Sequence, residues 1–224
     1  MTRLHRTRLL FGDENVEKLR AATVMVVGCG AVGSFAIEAL ARTGIGHIII
    51  VDFDKVEASN INRQLFALDS TVGLAKVDVA AARIHDINPA TRVAAYNMFW
   101  EEKSDIDVRP DFVIDAIDTV PSKVALYQWC AKNNVPFIAS MGAALKMDPS
   151  LIQVAPLSMT CVCPLAGRVR RAVRGMDLPD FPTVFSTETP APVAGHAKNM
   201  GSNITVTGTF GLMLVNFAIK KLIE

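Results

Sequence analysis

The apolar residues of this chain fall in unbroken runs more often than in alternation. Thr23–Val27 and His47–Asp52 are almost wholly apolar or β-branched, the composition of strands buried on both faces. Between them lie Gly28-Cys-Gly-Ala-Val-Gly33 and then Ser34–Arg42, whose alanines and leucine suit a helix. A strand, a glycine turn, a helix and a second strand form a crossover unit, which predicts parallel strands. Leu74–Ile87 carries Val77, Ala80, Ala81, Ile84 and Ile87 at helical spacing, and Asn88-Pro89 stops it. Arg92–Tyr96, Phe112–Ile117, Pro136–Met141 and Leu151–Val154 read as further strands, Asp13–Arg20 as a short helix with Asp13 at its N-cap, and Pro121–Lys132 as a helix with proline in its first turn. The rhythm breaks over 175–203, where Pro179, Pro182, Pro190 and Pro192 with Gly175, Gly195 and Gly201 predict a long irregular loop. The expectation is an α/β fold: a Rossmann-like, mainly parallel sheet with helices on both faces. Residues 1–150 form its nucleotide-binding core, and 151–224 a C-terminal extension carrying the crossover loop.

Composition narrows the classes. The chain has 224 residues, half of them hydrophobic, with 23 Lys and Arg against 22 Asp and Glu. A net charge of +1 excludes a globally basic nucleic-acid binder, so any polyanion must be held by a local patch. Mean hydropathy is +0.30, high enough to test a membrane reading. The longest apolar run, 204–219, falls short of the roughly 20 residues that span a bilayer and reads as a buried helix or a dimer face. The first residues, MTRLHRTRLLFG, hold arginines but no apolar stretch of leader length. Four cysteines at irregular spacing, without a CxxC pair, fit a reduced, cytoplasmic protein.

The chemistry centres on the glycine turn. Gly28, Gly30, Ala31 and Gly33 would let backbone amides meet phosphates at a helix N-terminus, and Asp52, at the end of the next strand, would take ribose hydroxyls. NAD is the default occupant. The segment that follows favours ATP, because a triphosphate under attack needs cationic side chains and Arg63 and Lys76 are of that type. Asp118, placed at the end of the strand 112–117, is suited to magnesium. Each has a plainer reading: a surface arginine, a helix-face lysine, and an N-cap for the helix near Pro121. Arg168, Arg170, Arg171 and Arg174 put four cations within seven residues, either a phosphate-binding stripe on a helix or a solvated face. His196 and Lys198 are weaker candidates of the same kind.

The runs GCGAVG, DFD, SNINRQ, TVGLAK, INP and DAID resemble the adenylating superfamily of ubiquitin-activating enzymes and their bacterial relatives ThiF and MoeB. Within it, RTRLLFG, NRQLFAL, MGAALKMDPSLIQV and FSTE are most similar to the branch of tRNA threonylcarbamoyladenosine dehydratases. The resemblance implies a homodimer that uses ATP and magnesium, with Asp52 on the ribose, Asn60, Arg63 and Gln64 on the phosphates, Lys76 on the α-phosphate and Asp118 on the metal. Arg6 or Arg8 would reach a partner subunit's ATP. It also implies adenylation of the threonyl carboxylate of the modified adenosine in tRNA, followed by ring closure. The alternatives are adenylation of a ubiquitin-like sulfur carrier, with a sulfur-transfer protein as partner, and a NAD-binding oxidoreductase or silent scaffold. Loop 175–203 contains no cysteine, and Thr183 stands where some relatives carry one, which disfavours sulfur relay. Cys161 and Cys163 read as an inert, partly buried pair, and Cys29 as packing.

Overall fold

The computed structural model describes residues 2–192 and 200–224. Its strands are β1 (Thr23–Val27), β2 (His47–Asp52), β3 (Arg92–Asn97), β4 (Phe112–Asp115), β5 (Phe137–Ser140), β6 (Ile152–Pro156) and β7 (Pro182–Ser186). They form one sheet in the order β3-β2-β1-β4-β5-β7-β6. Neighbours from β3 to β7 run parallel, and β6 pairs antiparallel to β7. The helices are α1 (His5–Ala21), α2 (Gly33–Thr43), α3 (Lys76–Ile87), α4 (Val120–Lys132), α5 (Pro164–Ala172) and α6 (Ile204–Ile223).

Each apolar strand serves two cores, because successive side chains point to opposite faces. Val24, Val26, Ile48, Ile50 and Ile114 meet α2, α3 and α6, whereas Met25, Val27, Ile49, Val51 and Val113 meet α4 and α5. The order reverses at β1, with β2 on one side and β4 on the other. In open α/β sheets this point, at the carboxyl ends of the strands, is where ligands bind.

Four expectations change. The first helix extends back to His5 and is broken at Gly12, whose φ of 79° only glycine adopts without cost; Asp13 follows the break and pairs with Arg8. The expected loop 175–203 contains β7, whose Thr183, Val184, Phe185 and Ser186 are all buried. A proline at its first position suits a strand start, so proline content there did not signal loop alone. β6, β7 and α6 belong to the same sheet and core as residues 1–150. Finally, the apolar C-terminal run is a helix of 20 residues, long and apolar enough by composition to cross a membrane, yet half of its most apolar window is buried inside the fold. Gly211 lets α6 approach α2 closely, since a Cβ there would stand 2.4 Å from the Val32 carbonyl oxygen. Gly195, His196 and Lys198 lie outside the described residues.

Candidate nucleotide-binding site

The glycines of the turn divide by what surrounds them. Gly28 has φ of 99°, and a Cβ on it would meet the Ala116 carbonyl oxygen at 2.6 Å. A Cβ on Gly33 would stand 1.7 Å from the Gly28 carbonyl oxygen. These two residues let the turn fold onto itself and onto the chain leaving β4. Gly30 differs: a Cβ there would touch only Gln64 Nε2, at 4.0 Å. The space above Gly30 is therefore open and bounded by a buried amide side chain, which is what an approaching phosphate requires.

Asp52 closes one side of this space. Its Oδ2 accepts the Cys29 amide at 2.6 Å and its Oδ1 the Asp54 amide at 2.8 Å. The carboxylate thus orients the turn, and each oxygen keeps a further lone pair for a hydroxyl. Burial, then the charge of Asp52, pushes the Cys29 thiol well above its ordinary range, so this sulfur packs and does not react.

Residues 53–56 pair with 73–76, through the Val56 amide on Leu74 and the Lys76 amide on Asp54. That pairing starts α3 at Lys76 and sets the buried Lys76 Nζ 2.8 Å from Asp54 Oδ2. The structure thus brings together Gly28–Gly33, Asp52, Gln64 and Lys76. Segment 60–65 is joined to α2 where the Ser34 hydroxyl accepts the Leu65 amide at 3.1 Å. Within it Asn60 is turned inward, its Oδ1 accepting the Glu57 amide at 3.2 Å. The Arg63 guanidinium folds back on the Ser59 carbonyl (2.8 Å) and Asn62 Oδ1 (2.9 Å).

β4 ends at Asp115, three residues before Asp118, so Asp118 sits in an exposed turn and not at a strand end as expected. The first acid of DAID has a different environment. Asp115 and Lys123 are fully buried and 2.7 Å apart, and the Tyr127 hydroxyl donates to the same carboxylate at 2.6 Å. Burial and the Asp115 charge hold the Tyr127 phenol well above its ordinary range, so it stays a donor. Sequence reasoning missed this cluster, although the spacing Asp115, Lys123, Tyr127 leaves Lys123 and Tyr127 one helical turn apart on α4. Beyond β2 and β3, exposed Phe53 and Phe99 meet edge to face at 4.9 Å. Phe99 also lines a cavity of about 480 Å³ with Val120, Pro121 and Ser122 at the start of α4.

The remaining cations lie apart from this cluster. Arg8 is bound by Asp13 (2.6 Å) and Glu17 (2.9 Å), so of Arg6 and Arg8 it is Arg6 that stands exposed. α5 places Arg168 and Arg171 in solvent, with Val169 and Ala166 buried beneath. Arg174 lies beyond the helix end, in the turn leading to Gly175. Arg170 is not part of an open stripe, because its guanidinium donates to the Thr160 carbonyl (2.7 Å) and hydroxyl. Cys161 is exposed, whereas Cys163 is buried and accepts the Gly142 amide at 3.3 Å and the Ala166 amide at 3.5 Å. Among the described residues no three His, Cys, Asp or Glu side chains cluster as a metal cage. Asp118, an exposed carboxylate on the segment whose Ala116 packs against Gly28, is nevertheless of the type that holds Mg²⁺, which one or two carboxylates bind together with nucleotide phosphates.

The family model described as ThiF family matches residues 4–224. The tRNA threonylcarbamoyladenosine dehydratase of Bacillus subtilis strain 168 is 47% identical over 189 residues, covering 83% of this chain and 74% of the relative. The enzyme of that name from Escherichia coli strain K12 is 37% identical over 249 residues, covering 96% and 91%. The crystal structure of E. coli TcdA in complex with ATP superposes with a TM-score of 0.92 at 38% identity, covering 98% of this chain and 93% of that one. E. coli MccB with ATP, at 19% identity and a TM-score of 0.66, covering 100% of this chain and 64% of its own, shares the fold alone.

Proposed function

The chain belongs to the ThiF family, and from that premise we propose that it is an ATP-dependent tRNA threonylcarbamoyladenosine dehydratase. The observation that carries this reading is the open space over Gly30, bordered by Gln64, with Asp52 and Lys76 anchored beside it. In the proposed complex, amides of the glycine turn and the α2 N-terminus receive the triphosphate and Asp52 receives the ribose. The Phe53–Phe99 pair offers an apolar surface to the base. Lys76 exchanges Asp54 for the α-phosphate, and Arg63 unfolds from Ser59 toward the departing pyrophosphate. Asp118 holds magnesium, which when bound neutralises phosphate charge.

Two anions must meet in the first step, when a threonyl carboxylate oxygen attacks the α-phosphorus and the bond to pyrophosphate breaks. Positive charge lowers that barrier where negative charge accumulates, which is the role given to Lys76 and Arg63 beside the amides of the turn. In the second step a nitrogen of the same modification attacks the activated carbonyl, loses its proton and expels AMP. Tethering makes this step intramolecular, so it requires no protein nucleophile.

The reading further includes a cytoplasmic homodimer. Four free thiols support a reducing compartment. Leu9 and Leu10, 69% and 77% exposed on the helix that carries Arg6, support a partner covering that face. Arg168, Arg171 and Arg174 offer phosphate contacts to the tRNA.

The test incubates the protein with ATP, Mg²⁺ and tRNA bearing the threonylcarbamoyl group. AMP release and loss of one water's mass from the nucleoside are expected, and Lys76→Ala and Arg63→Ala should abolish both while leaving a cooperative melt. An unchanged nucleoside mass, with pyrophosphate exchange driven instead by a ubiquitin-like carrier protein, refutes the reading and favours sulfur transfer.

A further inference from the structure

The charged cluster under the β4 turn takes no part in the steps above, yet among the described residues it holds an ion pair with both side chains fully buried. Asp115 and Lys123 both have 0% exposure. Desolvation cancels much of the attraction in such a pair, so it is a poor source of stability and is better understood by what it orients. Lys123 Nζ donates to Asp115 Oδ2 and to the Ser140 carbonyl oxygen, each at 2.7 Å. One ammonium thereby ties the carboxyl end of β4 to that of β5. The other oxygen, Asp115 Oδ1, accepts the Ile117 amide at 2.9 Å, fixing the backbone one residue before Asp118.

The opposite side of that turn rests on the glycine loop. The Ala116 amide donates to the Val27 carbonyl at 2.9 Å, and the Ala116 carbonyl fills the space that a Cβ on Gly28 would need. Residues 116–118 are thus held between the phosphate-binding turn and the buried ion pair. We propose that Asp115, Lys123 and Tyr127 form a positioning unit that sets this turn, and with it the Asp118 carboxylate, for binding of magnesium-ATP. The proposal rests on the assignment of Asp118 to the metal made under Proposed function.

Calorimetric titration with ATP, in the presence and absence of Mg²⁺, measures the affinity gained from the metal, and amide hydrogen exchange of Ile117 reports the turn. The Lys123→Met/Asp115→Asn variant removes both charges together and so leaves no lone buried ion. It is expected to melt cooperatively and bind metal-free ATP like the wild type. Its magnesium-dependent gain should fall by about tenfold, the usual consequence of losing a group that orients a metal ligand. Ile117 should exchange faster. Tyr127→Phe keeps the ion pair and should lower the gain by a smaller factor. A folded double variant that keeps the full gain overturns the proposal. If that variant does not fold, Tyr127→Phe decides, and an unchanged gain with unchanged Ile117 exchange overturns it. Asp118→Asn separates the two readings: retention of the gain in that variant refutes the metal assignment itself, together with everything built on it.

Discussion

Replacing the three glycines of the turn one at a time by alanine separates folding from nucleotide binding. At Gly28 an alanine must adopt φ of 99° and place its Cβ 2.6 Å from a carbonyl oxygen. The backbone strain alone costs about 1–2 kcal/mol. At Gly33 the contact would be 1.7 Å with backbone, which only movement of α2 relieves. At Gly30 the nearest atom is 4.0 Å away and belongs to a side chain, so the alanine fits. Loss of glycine freedom in the unfolded chain should then stabilise Gly30→Ala by about 0.4–1 kcal/mol. For a chain of this size that raises Tm by about 1–4 °C, at 2–4 °C per kcal/mol. ATP at a hundred times its Kd adds about 2.7 kcal/mol to the wild type, or about 5–11 °C. The added methyl of Gly30→Ala occupies the space assigned to a phosphate, so this ATP-dependent increment should largely vanish. Differential scanning calorimetry with and without ATP measures both quantities. If Gly30→Ala retains the full increment, no phosphate approaches Gly30; if it unfolds, the reading of the turn is wrong.

Three further outcomes follow from the geometry. Arg168→Ala, Arg171→Ala and Arg174→Ala should each weaken tRNA binding and reduce its salt slope by about one unit, whereas Arg170→Ala should lower Tm, because it strips donors from buried Thr160; filter binding across a salt series distinguishes them. Burial raises the Glu38 carboxyl, but hydrogen bonds from Arg83 (2.9 Å) and Arg42 (2.7 Å) outweigh it, so its folded value lies below the usual carboxylate range. Its stabilising contribution is present above the unfolded pKa of about 4.3 and is lost as pH falls through the folded value. Glu38→Gln should therefore cost about 1 kcal/mol at pH 7 and progressively less as pH falls below about 4.3, as measured by urea melts. An undiminished cost at pH 3 would count against the ion pairs. Finally, a maleimide should label native protein at Cys161 alone, since Cys29, Cys130 and Cys163 are buried and burial raises the Cys130 thiol far above its ordinary range; peptide mapping reads this directly.

The parts legible in the sequence are those whose cause is local. TVMVV and HIIIVD announced buried parallel strands because a strand covered on both faces has no polar positions to alternate. The glycine turn, Asp52 and Lys76 were legible because the turn, the strand end and the helix start are defined by neighbours in the chain. Of the four arginines, Arg170 was not legible as engaged, because its partner Thr160 lies ten residues away; Arg174 stays exposed but lies past a helix end that the sequence marks only at Gly175. Strand β7 was hidden because proline content reports turn preference, whereas its burial comes from pairing with β5 and β6.

By itself, then, the sequence determined the α/β class and the parallel core, because hydrophobic runs and a glycine turn act through backbone preferences and solvent exclusion within a few residues. The tertiary structure decided which acid of DAID faces solvent and which is paired in the core. That choice depends on Lys123, Tyr127 and the end of β5 converging on Asp115, and a buried charge persists only where such partners meet it.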